Sequence, residues 1–283
     1  MSQDKKIRVG LVQMACLSSP GKNLERAVEK IVQAVRGGAA LVCLPELFCS
    51  QYFCQKEDPS FFDLAEPIPG HSTEVLGQVA KQNNVVIIVP IFERRTSGIY
   101  HNSIVVLDSD GSIAGLYRKM HIPDDPAYYE KFYFTPGDKG FQAIETSIGK
   151  VGTLLCWDQW YPEAARLTAL QGAEMLFYPT AIGWHPSEEA QEGQSQRDAW
   201  QIIQRSHAIA NGVFVISANR VGHEKTVEGE DGIKFWGSSF ICDPLGVVLS
   251  GATVDEEEVL VTEIDLRLVE EVLSLIHISE PTR

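Results

Sequence analysis

Short apolar runs recur along this chain, and the segments between them constrain the fold more than any other feature. Residues 7–15, 39–44, 85–92, 151–156, 173–179 and 213–218 read as buried strands. Amphipathic helices fit between them. Leu24, Ala27, Val28, Ile31 and Val35 share one helical face, with Asn23 as cap and Gly37-Gly38 as stop. Val75, Leu76, Val79 and Ala80 share another, capped by Ser72 or Thr73. Pro162 and Glu163 open a third helix over 162–171, ended by Gly172, and 195–210 reads as a longer fourth. Residues 102–107 and 113–117, joined by Asp108-Ser109-Asp110-Gly111, read as a hairpin. Residues 240–246 read as a strand with a tight turn, and 259–264 as the last strand. Two loops are expected: 122–140, rich in Pro, Gly and aromatics, and the acidic stretch 182–194. Strands and helices alternate, hairpins are interleaved, and no repeat or linker interrupts them. That pattern predicts one α/β domain with a mixed sheet system.

With 283 residues the chain can bury a large core, and its formal net charge of −14 argues against nucleic acid or an anionic membrane surface as partner. No apolar run reaches the roughly 18 residues of a membrane helix. The opening Met1-Ser2-Gln3-Asp4-Lys5-Lys6 lacks the apolar segment of a signal peptide, so the cytoplasm is the expected compartment. The six cysteines, at 16, 43, 49, 54, 156 and 242, are unevenly spaced and form no C-x-x-C pair, which points to reduced thiols. Cys43, Cys49 and Cys54 cluster, with His71 further on, but without the ligand spacing of a structural zinc site. No metal and no cofactor are expected. G-x-S-x-G, a phosphate-binding Gly-rich loop and H-E-x-x-H are all missing.

Three residues stand just past apolar strands, where open α/β folds place their chemistry: Glu46, Lys119 and Cys156. Each has a bland reading of its own, as a loop start, a solvated edge residue and a buried structural thiol. Together they form a reactive set. The cysteine is a nucleophile, the glutamate a base for its proton, and the lysine a cation for a developing oxyanion. The Trp157 N–H, on the turn after the cysteine, offers a second oxyanion donor.

Leu44-Pro45-Glu46, Tyr117-Arg118-Lys119-Met120-His121 and Leu155-Cys156-Trp157-Asp158 resemble, in order and separation, the three catalytic signatures of the nitrilase (carbon–nitrogen hydrolase) superfamily. The resemblance spans about residues 7–265. It implies a four-layer α-β-β-α sandwich, a Glu-Lys-Cys triad attacking a non-peptide C–N bond, and a thioester intermediate released by water that Glu46 activates. Glu130, in Tyr128-Tyr129-Glu130-Lys131-Phe132-Tyr133-Phe134, matches the second active-site glutamate, which positions the lysine and substrate. Within the superfamily, residues 121–138 and 156–183 look most like N-carbamoylputrescine amidases, which release putrescine, CO2 and ammonia. Relatives acting on N-carbamoyl amino acids carry arginines just after the cysteine to grip a carboxylate, whereas Gln159 and Trp160 stand here. A small carbamoylated amine is therefore the expected substrate. Asp125, Asp158 and Glu188, with Glu189 beside the last, are candidates to bind it. Other amidase branches, β-ureidopropionase-like or aliphatic, are the alternatives, followed by a noncatalytic or acyl-transfer member. The resemblance also implies a homodimer or higher homo-oligomer. Residues 1–272 are expected to form one domain, residues 273–283 are an atypical tail, and 184–196 depart from the shorter acidic loop expected in typical N-carbamoylputrescine amidases.

Overall fold

The computed structural model describes residues 5–225 and 232–276. In chain order the first elements are β1 (Lys6–Gln13), α1 (Pro20–Arg36), β2 (Leu41–Cys43), α2 (His71–Asn83), β3 (Val86–Thr96), β4 (Ile99–Leu107) and β5 (Ile113–Arg118). Then come α3 (Glu130–Tyr133), β6 (Ala143–Thr146), β7 (Gly149–Thr153), α4 (Pro162–Leu170), β8 (Met175–Thr180), β9 (Gly183–Trp184) and α5 (Pro186–Asn211). The last are β10 (Phe214–Asn219), β11 (Val221–Glu224), β12 (Ile233–Trp236), β13 (Phe240–Cys242), β14 (Val248–Gly251), β15 (Glu258–Asp265) and α6 (Arg267–Ile276).

One six-stranded sheet runs β15-β1-β2-β3-β4-β5 and the other β14-β13-β10-β8-β7-β6. Both repeat one pairing order. The strands β1-β2-β3 are parallel, as are β7-β8-β10, and every other pairing in the two sheets is antiparallel. Period-two alternation sorts the faces. Leu41 and Cys43 of β2 join Val9, Leu11 and Ile88 in the core shared with Val151, Met175 and Phe177 of the second sheet. Val42, between them, turns the other way and packs with Val12, Ile87, Val89 and the α1 residues Leu24, Ala27 and Ile31. Helices α4 and α5 pack on β7, β8 and β10 of the second sheet. The layers are therefore helix, sheet, sheet, helix, as the resemblance implied. Each such buried aliphatic side chain contributes about 1.5–3 kcal/mol.

Several local expectations shift. Asn23 does not cap α1: Pro20 opens the helix, and the Asn23 amide instead bonds Leu17 N and O and Cys49 O. Helix α2 starts after Gly70, with the Thr73 hydroxyl accepting the Gly70 N–H at 2.8 Å from inside the first turn. The acidic stretch 182–194 is not a loop. It holds β9 and the first turns of α5, which begins at Pro186. Its buried stripe of Trp200, Gln204, His207 and Ala208 comes only later, so the opening turns show no apolar periodicity. The β3–β4 and β11–β12 hairpins, β14 and α6 go beyond what the apolar pattern predicts. Helix α6 runs through the expected boundary at 272, with Val272 buried and Leu273 packed on the core, while 277–283 lie outside the described residues.

Candidate active site

Strand β7 ends at Thr153, three residues before Cys156, which opens the short helical turn Cys156–Trp160. Its φ of +44° lies in the left-handed region, at a cost of about 1–2 kcal/mol for a residue with a side chain. Asp158 holds the turn. Its Oδ2 accepts the Leu155 N–H at 2.9 Å and the Tyr117 hydroxyl at 2.7 Å. Its Oδ1 accepts the His121 N–H at 3.1 Å and His121 Nδ1 at 2.7 Å. The His121 ring in turn stacks on Tyr161, with centroids 3.6 Å apart. The Cys156 and Trp157 N–H groups, first in the turn, have no acceptor within it. Burial, with the negative charge of Glu46, pushes the Cys156 thiol well above the ordinary cysteine range, and Lys119 does not offset it. The free thiol is neutral, so an attack needs a base to take its proton.

The segments after β2 and β5 and the first residue of α3 meet at Lys119. Its Nζ lies 3.0 Å from Glu46 Oε1 and 2.6 Å from Glu130 Oε2, and all three side chains are fully buried. The backbone fixes the lysine as a continuation of the sheet: its N–H donates to Asn102 O, and its carbonyl accepts the Gly137 N–H, both at 2.8 Å. Asn102 Nδ2 also donates to Glu46 Oε1 at 2.7 Å. The Tyr52 hydroxyl donates to Glu130 Oε1 at 2.7 Å. Burial works against the ammonium, but the Glu130 and Glu46 carboxylates outweigh it and keep Lys119 protonated well above its usual range. Two carboxylates sharing one cation leave an excess of negative charge. Burial, supported by Glu46, pushes Glu130 up to about 7 against the pull of Lys119. Glu46 Oε2 is buried with no hydrogen-bond partner among the described residues, which leaves it an open acceptor.

Cys156 opens onto a cavity of about 1010 Å³. Trp157, Trp160 and Trp236 contribute to its wall, as do the two carboxylate residues Asp125 and Glu188, both exposed. No Lys or Arg is among its described lining residues. Glu46, Lys119 and Glu130 come together as a buried cluster whose charges act on the thiol. The expectation for Asp158 is corrected: both its oxygens are committed to the cysteine turn and it does not line the cavity. The Glu189 side chain lies outside the described residues. Of the two residues in place of arginines, Trp160 lines the cavity, whereas Gln159 is fully buried and accepts from Trp200 Nε1 at 2.9 Å. Sequence reasoning misses Tyr52 and Asn102. Asn102 sits between His101 and Ser103, ahead of the apolar residues 104–107 of β4, and gives no signal; neither does Tyr52.

The carbon-nitrogen hydrolase family model matches residues 8–273. An N-carbamoylputrescine amidase of Solanum lycopersicum is 45% identical over 267 residues, covering 93% of this chain and 88% of its own. A citrullinase of Francisella tularensis subsp. tularensis is 41% identical over 262 residues, 92% of this chain and 89% of its own. Among solved structures, a carbon-nitrogen hydrolase from Helicobacter pylori G27 matches with a TM-score of 0.93 at 49% identity, covering 96% of this chain and 94% of that one.

Proposed function

The chain belongs to the carbon-nitrogen hydrolase family and hydrolyses a non-peptide C–N bond, and from that premise we propose that its substrate is N-carbamoylputrescine. One observation carries the choice of substrate. The cavity at Cys156 is lined by two carboxylates and by no Lys or Arg among the described residues, which suits a cationic tail and gives a carboxylate tail no ammonium or guanidinium to pair with. The amidase relatives support the same substrate.

In this reading Glu46 takes the thiol proton as Cys156 Sγ attacks the ureido carbon, and Lys119 with the Trp157 N–H stabilises the oxyanion. Glu46 returns the proton to the departing nitrogen as one C–N bond breaks, leaving a carbamoyl thioester on Cys156. Glu46 then activates water, the C–S bond breaks, and the carbamic acid loses CO2. The sum is N-carbamoylputrescine plus water giving putrescine, CO2 and ammonia. Glu130 holds Lys119 in place. The thiol's raised pKa supports this order of events, because proton removal and attack must then go together. The reading includes the cytoplasm as compartment, supported by the free thiols of all six cysteines and by the lack of any described helix able to cross a membrane. It also includes self-association, supported by the exposed Leu167, Leu170, Ile202 and Ile209 on α4 and α5.

The test is ammonia release from N-carbamoylputrescine, N-carbamoyl-β-alanine, citrulline and a simple aliphatic amide, with Cys156→Ala as blank. Preference for the first is expected. Turnover of another substrate alone overturns the choice of substrate, and turnover by Cys156→Ala overturns the mechanism.

A further inference from the structure

We propose that the buried Arg220–Glu224 pair is a positioning device that sets both glutamates of the site, Glu46 and Glu130, from the hairpin that also walls the substrate cavity. The inference rests on the roles proposed above for those two residues.

Arg220 follows β10 and is fully buried. Its Nη2 donates to the carbonyls of Glu46, Leu47 and Ser50 at 2.9, 2.8 and 3.1 Å. Those carbonyls belong to the turn that presents the Glu46 side chain, and Leu47 within it stands at a φ of +49°. A planar guanidinium suits such a set of fixed acceptors better than an ammonium does, because its donors keep their angles. Nη1 donates to Glu224 Oε1 at 2.8 Å. The other carboxylate oxygen of Glu224 accepts the Tyr52 N–H at 2.5 Å, and the Tyr52 hydroxyl reaches Glu130. One branch thus runs from Arg220 to the main chain of Glu46. The other runs through Glu224 and Tyr52 to Glu130. Both converge on Lys119 Nζ.

The device sits on the β11–β12 hairpin, where Glu224 pairs with Ile233 and Val221 with Trp236. Ile233 and Trp236 line the cavity, and the Arg220 guanidinium lies 5.2 Å from the centroid of Phe235 between them in β12. The strand touching substrate is therefore tied to the turn carrying the base. Stability alone does not account for this arrangement, since a buried ion pair contributes little net stability compared with apolar side chains of the same volume. Its hydrogen bonds instead end on the two segments that lead to the glutamates.

The test uses the full chain with Arg220→Lys, Glu224→Gln and Tyr52→Phe, read beside Glu46→Gln on N-carbamoylputrescine. Arg220→Lys and Glu224→Gln are expected to lower kcat by about 10- to 100-fold with KM little changed, as small misplacements of a catalytic group do. Tyr52→Phe removes one hydroxyl. It should raise the apparent pKa of the acid limb of kcat/KM, because Glu130 loses a donor to its charged form. The Tyr52→Phe/Glu224→Gln double variant should lose no more than the worse single, since the two lie on one branch. Loss of turnover in Glu46→Gln with kcat kept in Arg220→Lys and Glu224→Gln overturns the positioning role alone. Turnover kept in Glu46→Gln overturns the proposed roles and this inference with them. If Arg220→Lys or Glu224→Gln does not fold, Tyr52→Phe decides: an unchanged kcat and an unmoved acid limb overturn the proposal.

Discussion

Asp158→Asn is the sharpest probe of how the cysteine turn is held. The carboxylate is fully buried and accepts from Leu155 N, Tyr117 Oη, His121 N and His121 Nδ1. Each oxygen serves two donors. An amide has only one oxygen, so either rotamer turns its NH2 toward one backbone N–H that can only donate, Leu155 N or His121 N, while Tyr117 Oη or His121 Nδ1 beside it can accept from the NH2. One hydrogen bond to a charged acceptor is lost, at about 1.5–3 kcal/mol. At about 2 °C per kcal/mol for a chain of this size, Tm should fall by roughly 3–6 °C. Activity should suffer separately. Leu155 and Asp158 flank Cys156, and the left-handed backbone there persists only while its surroundings over-determine it. A relaxed turn moves Sγ, so kcat should drop about 10- to 100-fold. KM should change little, because Asp158 does not reach the cavity. Thermal denaturation and steady-state kinetics on the same preparation measure both effects. A Tm within about 2 °C of the parent, or a loss confined to KM, refutes the reasoning.

The remaining predictions concern charge in and below the cavity. Burial raises Glu130 to about 7, so below that pH it takes up a proton and no longer anchors Lys119 as a carboxylate. kcat/KM should therefore rise with pH through an apparent pKa of about 7, and Glu130→Gln should abolish that limb with most of the activity. A pH profile flat across this range, or an unchanged limb in the variant, counts against it. Trp160→Arg sets a guanidinium in the cavity wall. It should shift the kcat/KM ratio from N-carbamoylputrescine toward N-carbamoyl-β-alanine by about tenfold or more, and a constant ratio would show that charge at this wall does not select the tail.

What the sequence alone makes legible follows from local physics. The apolar runs of β1, β2, β3, β7, β8 and β10 mark buried strands because burial on both faces demands unbroken hydrophobicity, and each run shows where it stops. Glu46 and Cys156 are therefore set just past strand ends by the hydrophobic pattern itself, and Lys119 by the hairpin pattern that ends in β5. Helices α1 and α2 are legible through their apolar faces, and α4 through Pro162-Glu163 at its start and Gly172 past its end. Helix α5 begins nine residues ahead of the span its pattern predicts, because residues 186–194 carry no apolar periodicity in the sequence.

Side-chain direction is decided only by the tertiary structure. Asp158 and Gln159 follow the cysteine closely in sequence, yet one locks its turn and the other faces Trp200 rather than the cavity. Tyr52, Asn102 and Arg220 carry no motif, because their partners are remote: Lys119 meets Glu46 across 73 residues, and Arg220 meets the Glu46 carbonyl across 174. Periodicity records what a residue does with its neighbours in the chain. A hydrogen bond closed across most of a fold leaves no such trace, since its geometry exists only once both sheets have packed.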